Sequence, residues 1–110
     1  MAAPELKIFF KTFKTDPLGQ IVLTGILNVE AFRTVNLEIV QFPQVAVNMI
    51  VVCDMGKITG ETLSQTVGQF PLGITAQIHT FDVIGPEFSV ALAGGPANTD
   101  VPIQEWVFLH

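Results

Sequence analysis

The sequence predicts an all-β domain across residues 1–110: a two-sheet antiparallel β-sandwich of about eight strands, of jelly-roll or other Greek-key type. Three observations predict it. Apolar residues alternate with Thr, Gln, Asn and Ser through much of the chain, which is the two-residue period of a half-buried strand. Gly and Pro recur at strand-sized intervals. No segment of adequate length carries a 3.6-residue apolar stripe, and the best helical candidate, Val29–Thr34, is long enough only for a turn. The Cys…Trp…Cys spacing of an immunoglobulin-type sandwich is absent.

The first strand is expected at about Leu6–Lys14, closed by an Asp16-Pro17-Leu18-Gly19 turn in which proline pre-sets the bend. The second is about Ile21–Val29. The third, Thr34–Phe42, sets Val35, Leu37 and Ile39 on one face and Thr34, Asn36 and Glu38 on the other. Pro43 ends it. The fourth, about Val45–Asp54, is apolar on both faces, as a central strand is, and Met55-Gly56-Lys57 is expected to turn the chain.

The fifth strand, about Thr62–Phe70, is weakly patterned. The sixth, Ile74–Val83, changes phase between Ile78 and Phe81, which predicts a bulge near His79–Thr80. The seventh is Glu87–Ala93, with Phe88, Val90 and Leu92 on one face. A loop through Gly94–Thr99 leads to the eighth, Val101–Leu109.

Composition narrows the function classes. Hydrophobic residues make up 49% of the chain and charged residues 14%, against an average charged share of about 25%. That balance is the opposite of a disordered chain's. It suits a self-associating protein, a homo-oligomer, and equally a thick core beneath a Thr/Gln/Asn surface. The net charge is −5. Residues 34–110 hold Lys57 as their one cation against seven acids, whereas Lys7, Lys11, Lys14 and Arg33 lie in the first 33 residues. An acidic surface repels phosphate backbones and anionic lipid, so neither nucleic acid nor membrane is an expected partner. Met49–Cys53 is too short to span a bilayer. The first residues carry no basic segment followed by an apolar one, so no signal peptide is expected.

No catalytic or metal set is expected, and no cofactor. Cys53 is the single cysteine, so no intrachain disulfide can form, and a thiol within a strand is usually a small buried hydrophobe. Cys53, His79 and Asp82 can be written as a nucleophilic trio from residue type, but nothing around Cys53 lowers its pKa. His79 with Asp82 falls short of the three or four ligands zinc takes, and Asn98 with Asp100 falls short of the roughly six to eight of calcium. Gly94-Gly95-Pro96 lacks the lysine and helix of a phosphate loop. The ten acids are spread singly, without the pairing that glycoside hydrolysis requires.

The aromatics say more. There are nine Phe, one Trp and no Tyr, and Phe suits dry burial. The first strand sets Leu6, Ile8 and Phe10 against Phe9 and Phe13. The last sets Val101, Ile103, Val107 and Leu109 against Trp106 and Phe108. A sandwich strand needs one apolar face, so a second must be covered. Phe9, Phe13, Trp106 and Phe108 are the candidate subunit contact. The alternative is a carbohydrate- or small-ligand-binding module using Trp106, Gln104, Gln77 and Asn98. At fold level the layout is similar to jelly-roll and galactose-binding-like sandwiches, on strand count and turn placement. Such folds host lectins, capsid and appendage subunits and enzyme accessory modules, so the fold does not choose among them.

Overall fold

The computed structural model describes residues 3–41, 48–57, 64–73, 75 and 77–110. Within them lie eight strands: β1 (Glu5–Lys14), β2 (Ile21–Asn28), β3 (Thr34–Gln41), β4 (Ile50–Gly56), β5 (Gln65–Pro71), β6 (Gln77–Asp82), β7 (Glu87–Ala93) and β8 (Asp100–Leu109). They form two four-stranded sheets, β1-β8-β3-β6 and β2-β7-β4-β5, with adjacent strands antiparallel. The two sheets make a β-sandwich, and no helix occurs among the described residues.

The core follows from alternation. β3 turns Val35, Leu37 and Ile39 inward, and β8 turns Val101, Ile103, Val107 and Leu109 the same way. From the other sheet, β7 contributes Phe88, Val90 and Leu92, and β4 contributes Val51, Cys53 and Met55. These four central strands each hide one face almost completely, because each has hydrogen-bonded neighbours on both sides and the opposite sheet above it.

The Asp16 turn and the Gly94–Thr99 loop lock together at one end. The Asp16 carboxylate accepts the backbone N–H groups of Leu18 and Gln20 at 2.8 and 2.9 Å. Buried Thr15 donates its hydroxyl to the Pro96 carbonyl at 2.6 Å and accepts the Thr99 N–H at 2.7 Å. Gly19 adopts φ 74°, and a Cβ there would run into the Gly95 carbonyl. Two independent constraints therefore demand glycine.

Three expectations change. Met55 and Gly56 do not turn the chain; they extend β4, paired with Phe88 and Glu87. Met55 is buried and its sulfur accepts the Ile84 N–H, while Gly56 has φ 138° and Gly85, where a Cβ would run into the Gly56 backbone, packs against it. β6 has no bulge, since its register against β3 runs unbroken from Thr34↔Asp82 to Ile39↔Gln77. His79 and Phe81 turn inward and Ile78 stays outside, 67% exposed. Exposed Ile78 mimics a core residue, which is why a regular strand carries an apparent change of phase. Register shifts fall instead in β2, on both sides of Thr24, and between Cys53 and Asp54 of β4. The fourth and fifth strands begin at Ile50 and Gln65; Val45–Val47, Thr62, Leu63, Ile74 and Ala76 lie outside the described residues.

Candidate functional site

The outer face of the β1-β8-β3-β6 sheet carries exposed Leu6, Ile8, Phe10, Ile78 and Phe108. Its rows follow from the register. Leu6 lies opposite Phe108, which lies opposite Asn36. Ile8, Trp106, Glu38 and Ile78 form the next row, and Phe10, Gln104 and Val40 the third. Leu6, Ile8 and Phe10 are 56, 51 and 58% exposed. Phe10 meets Trp106 edge-on at 5.2 Å between ring centroids, and Phe108 stacks on His110 at 4.8 Å. Between the rows, Asn36, Glu38, Ile78, Trp106 and Phe108 line a depression of about 190 Å³.

The structure divides the predicted contact set. Trp106 and Phe108 lie outside, as the alternation of β8 requires. Phe9 and Phe13 do not join them. Phe9 pairs with buried Glu105 and Phe13 with buried Val101, so both sit on the inner face, where they pack against the core. They are only half covered, because β1 is an edge strand. A cleft of about 360 Å³ opens there, lined by Ile8, Phe9, Phe10, Lys11, Phe13 and Leu23. The outward apolar residues of β1 are Leu6, Ile8 and Phe10.

The alternative ligand set is likewise dispersed. Gln104 shares the outer face with Trp106, two residues along β8. Gln77 pairs with inward Ile39, so it belongs to the opposite face of the sheet. Asn98 lies in the loop after β7, with φ 52° and its N–H donated to the Asp16 carbonyl.

The nucleophilic trio does not assemble. Cys53 is buried in the middle of β4. Its thiol is pushed up to about 12, by burial first and then by the charges of Glu105 and Asp54. His79 stacks on Phe70 at 3.5 Å, and exposed Asp82 lies on the other face of β6. Among the described residues no three His, Cys, Asp or Glu side chains gather as a metal site would require.

One feature of the site region escaped the sequence reading. Glu105 is fully buried on the inner face of β8. Thr24 of β2, also fully buried, donates its hydroxyl to Glu105 Oε1 at 2.7 Å. Glu105 Oε2 has no partner among the described residues. Burial lifts the carboxyl to about 7, against the lowering effect of the Thr24 hydrogen bond. The signal was present in the alternation: Ile103, Glu105 and Val107 share a face, so an acid stands where the pattern calls for an aliphatic residue.

No protein-family profile matches the chain, and no curated protein matches it. A solved structure does. It comes from work describing Bacillus endospore appendages as "a novel family of disulfide-linked pili". The TM-score is 0.61 at 9% identity, over 97% of this chain and 87% of the other. At that identity the likeness is one of fold.

Proposed function

We propose that the chain is a non-enzymatic structural subunit that associates with copies of itself through the outer face of the β1-β8-β3-β6 sheet. The observation that carries this reading is the continuous run of exposed Leu6, Ile8 and Phe10 beside Trp106 and Phe108. An isolated sandwich leaves polar side chains on its outer faces, and an exposed apolar face covering two neighbouring strands is the form a subunit contact takes. The strand pairing β1·β8, β2·β7, β3·β6 and β4·β5 supports reading the sandwich as a jelly roll. Its likeness to a pilus protein adds weight to a structural role. The net charge of −5 argues against nucleic acid and anionic membranes as partners.

The association proposed is non-covalent. Cys53, the single cysteine, lies inside the core with its thiol protonated, so it presents no sulfur to a neighbour. Light-scattering mass at two concentrations about tenfold apart tests the reading. A multiple of 11.9 kDa that collapses to one in Ile8→Ser/Phe10→Ser supports it. A monomer at both concentrations rejects it.

The depression at Trp106 supports a second reading, a carbohydrate- or small-ligand-binding module. An aromatic face beside an amide and a carboxylate, here Asn36 and Glu38, is what a sugar ring uses. Saturable sugar binding lost in Trp106→Ala at constant mass selects it over the first.

A further inference from the structure

We propose that Glu105 and Thr24 form a proton-operated clamp between the two sheets, closed while the Glu105 carboxyl is neutral and opened at the β1/β2 edge when it ionises, because the cost of burying the charge with Oε2 unmet then exceeds the Thr24 hydrogen bond that ionisation itself strengthens. The clamp joins β8 of one sheet to β2 of the other by a single hydrogen bond between fully buried side chains. Beyond the Thr24 hydroxyl, the neighbouring strands of its own sheet offer a carboxylate nothing. Its register partners on β1 and β3 are Phe9 and Ile39. The titratable group that senses it from β4 is Cys53, whose thiol is protonated and which Glu105 drives further up. Oε2 remains without a partner among the described residues. A buried carboxylate with an unmet oxygen is costly, and the cheapest relief is access to water.

A cleft at the edge of the sandwich offers that access. The cleft lined by Phe9, Phe13 and Leu23 lies beside the clamp, since Phe9 is opposite Glu105 and Leu23 precedes Thr24. β2 is an edge strand held by β7 alone, and its ladder is broken by register shifts on both sides of Thr24. It is the edge strand of that sheet that carries Thr24, so it is the strand freed when the clamp opens. The folded protein binds the Glu105 proton more tightly than the unfolded chain, whose carboxyl keeps the ordinary 4.5. The stability that comes from keeping this buried carboxyl neutral is therefore complete below about 4.5 and is lost as pH rises through about 7, with the Thr24 hydrogen bond opposing the loss.

Amide hydrogen exchange between pH 5 and pH 8, corrected for intrinsic rates and with mass checked at each pH, is the test. Protection of Ile21–Asn28 should fall on the order of 10–100-fold in the wild type and stay level in Glu105→Gln. Protection of the β4 and β7 amides should fall less. Unchanged β2 protection in the wild type, or an equal fall in Glu105→Gln, overturns the proposal. If Glu105→Gln does not fold, the carboxyl carbon shift of Glu105 in the wild type decides. Titration near neutrality upholds the clamp, and titration near 4.5 overturns it.

Discussion

Ile8 and Trp106 lie directly opposite each other on the outward side of the β1–β8 ladder, while Phe9 and Glu105, one step along, face inward. A single residue of register thus separates the proposed subunit contact from the buried clamp. The ladder keeps this phase over all ten residues of β1, from Glu5↔Leu109 to Lys14↔Asp100.

That separation predicts different consequences for neighbouring substitutions. Phe10→Ser removes an exposed ring from the outer face and should change melting temperature by a degree or two at most, while lowering the association constant. Phe13→Ser acts on a ring packed against the core and should destabilise the protein by about 1–3 kcal/mol. Melting curves and concentration-dependent mass, measured on both variants, check the contrast. Equal effects on both quantities would mean that the two faces are not distinct.

The core makes a sharper prediction. Phe88 is fully buried on β7, with Phe81 of the opposite sheet 6.0 Å away between ring centroids. Phe88→Ala leaves a cavity in the packed core that the surrounding side chains fill only in part. The expected loss is about 3–5 kcal/mol in denaturant unfolding.

Alternation told most of the fold and little of the site. β3, β7 and β8 are central strands with one wet and one dry face, so their patterns name the inward residues directly. β1 defeated the same reading because it is an edge strand, apolar on both sides, and alternation alone does not say which side is core. The sequence therefore points Phe9 and Phe13 outward, whereas the register turns them in. β6 misled for a related reason: exposed Ile78 mimics a core residue and makes a regular strand look bulged. Register shifts do occur around Thr24 in the β2–β7 ladder and at Cys53/Asp54 in the β4–β5 ladder, and no local alternation announces them. The Thr24–Glu105 hydrogen bond joins residues 81 apart in sequence.

The Asp16 turn gives a backbone prediction. Gly19→Ala places a Cβ at φ 74° and against the Gly95 carbonyl. Strain of this kind costs about 1–3 kcal/mol before the clash is relieved. Relief must shift the Gly94–Thr99 loop, which Thr15 ties down through Pro96 and Thr99. A lower melting temperature should therefore come with faster exchange at the Thr99 amide, and a variant as stable as the wild type would contradict the close approach.

Cys53 should be silent to thiol reagents in the native state. Burial and neighbouring negative charge hold its thiol near 12, so the thiolate fraction at pH 8 is on the order of 10⁻⁴. Labelling should be complete within minutes in denaturing urea and negligible without it. Rapid native labelling would place the sulfur within reach of solvent.

The last prediction separates the hydrogen bond from the burial it permits. Thr24→Val removes the donor and leaves both Glu105 oxygens unmet, so it should destabilise the sandwich by about 1–3 kcal/mol at pH 5. Adding Glu105→Leu replaces the remaining polar partner with an aliphatic side chain of similar size. When both members of a buried polar pair become apolar, the desolvation penalty disappears with them. Thr24→Val/Glu105→Leu should recover the loss at pH 5. At pH 8, where the wild type carries an ionised carboxyl in its core, it should be the more stable protein. Urea unfolding of the three proteins at both pH values checks the order. A double variant less stable than Thr24→Val at pH 8 would mean that Glu105 helps hold the sheets together even when charged.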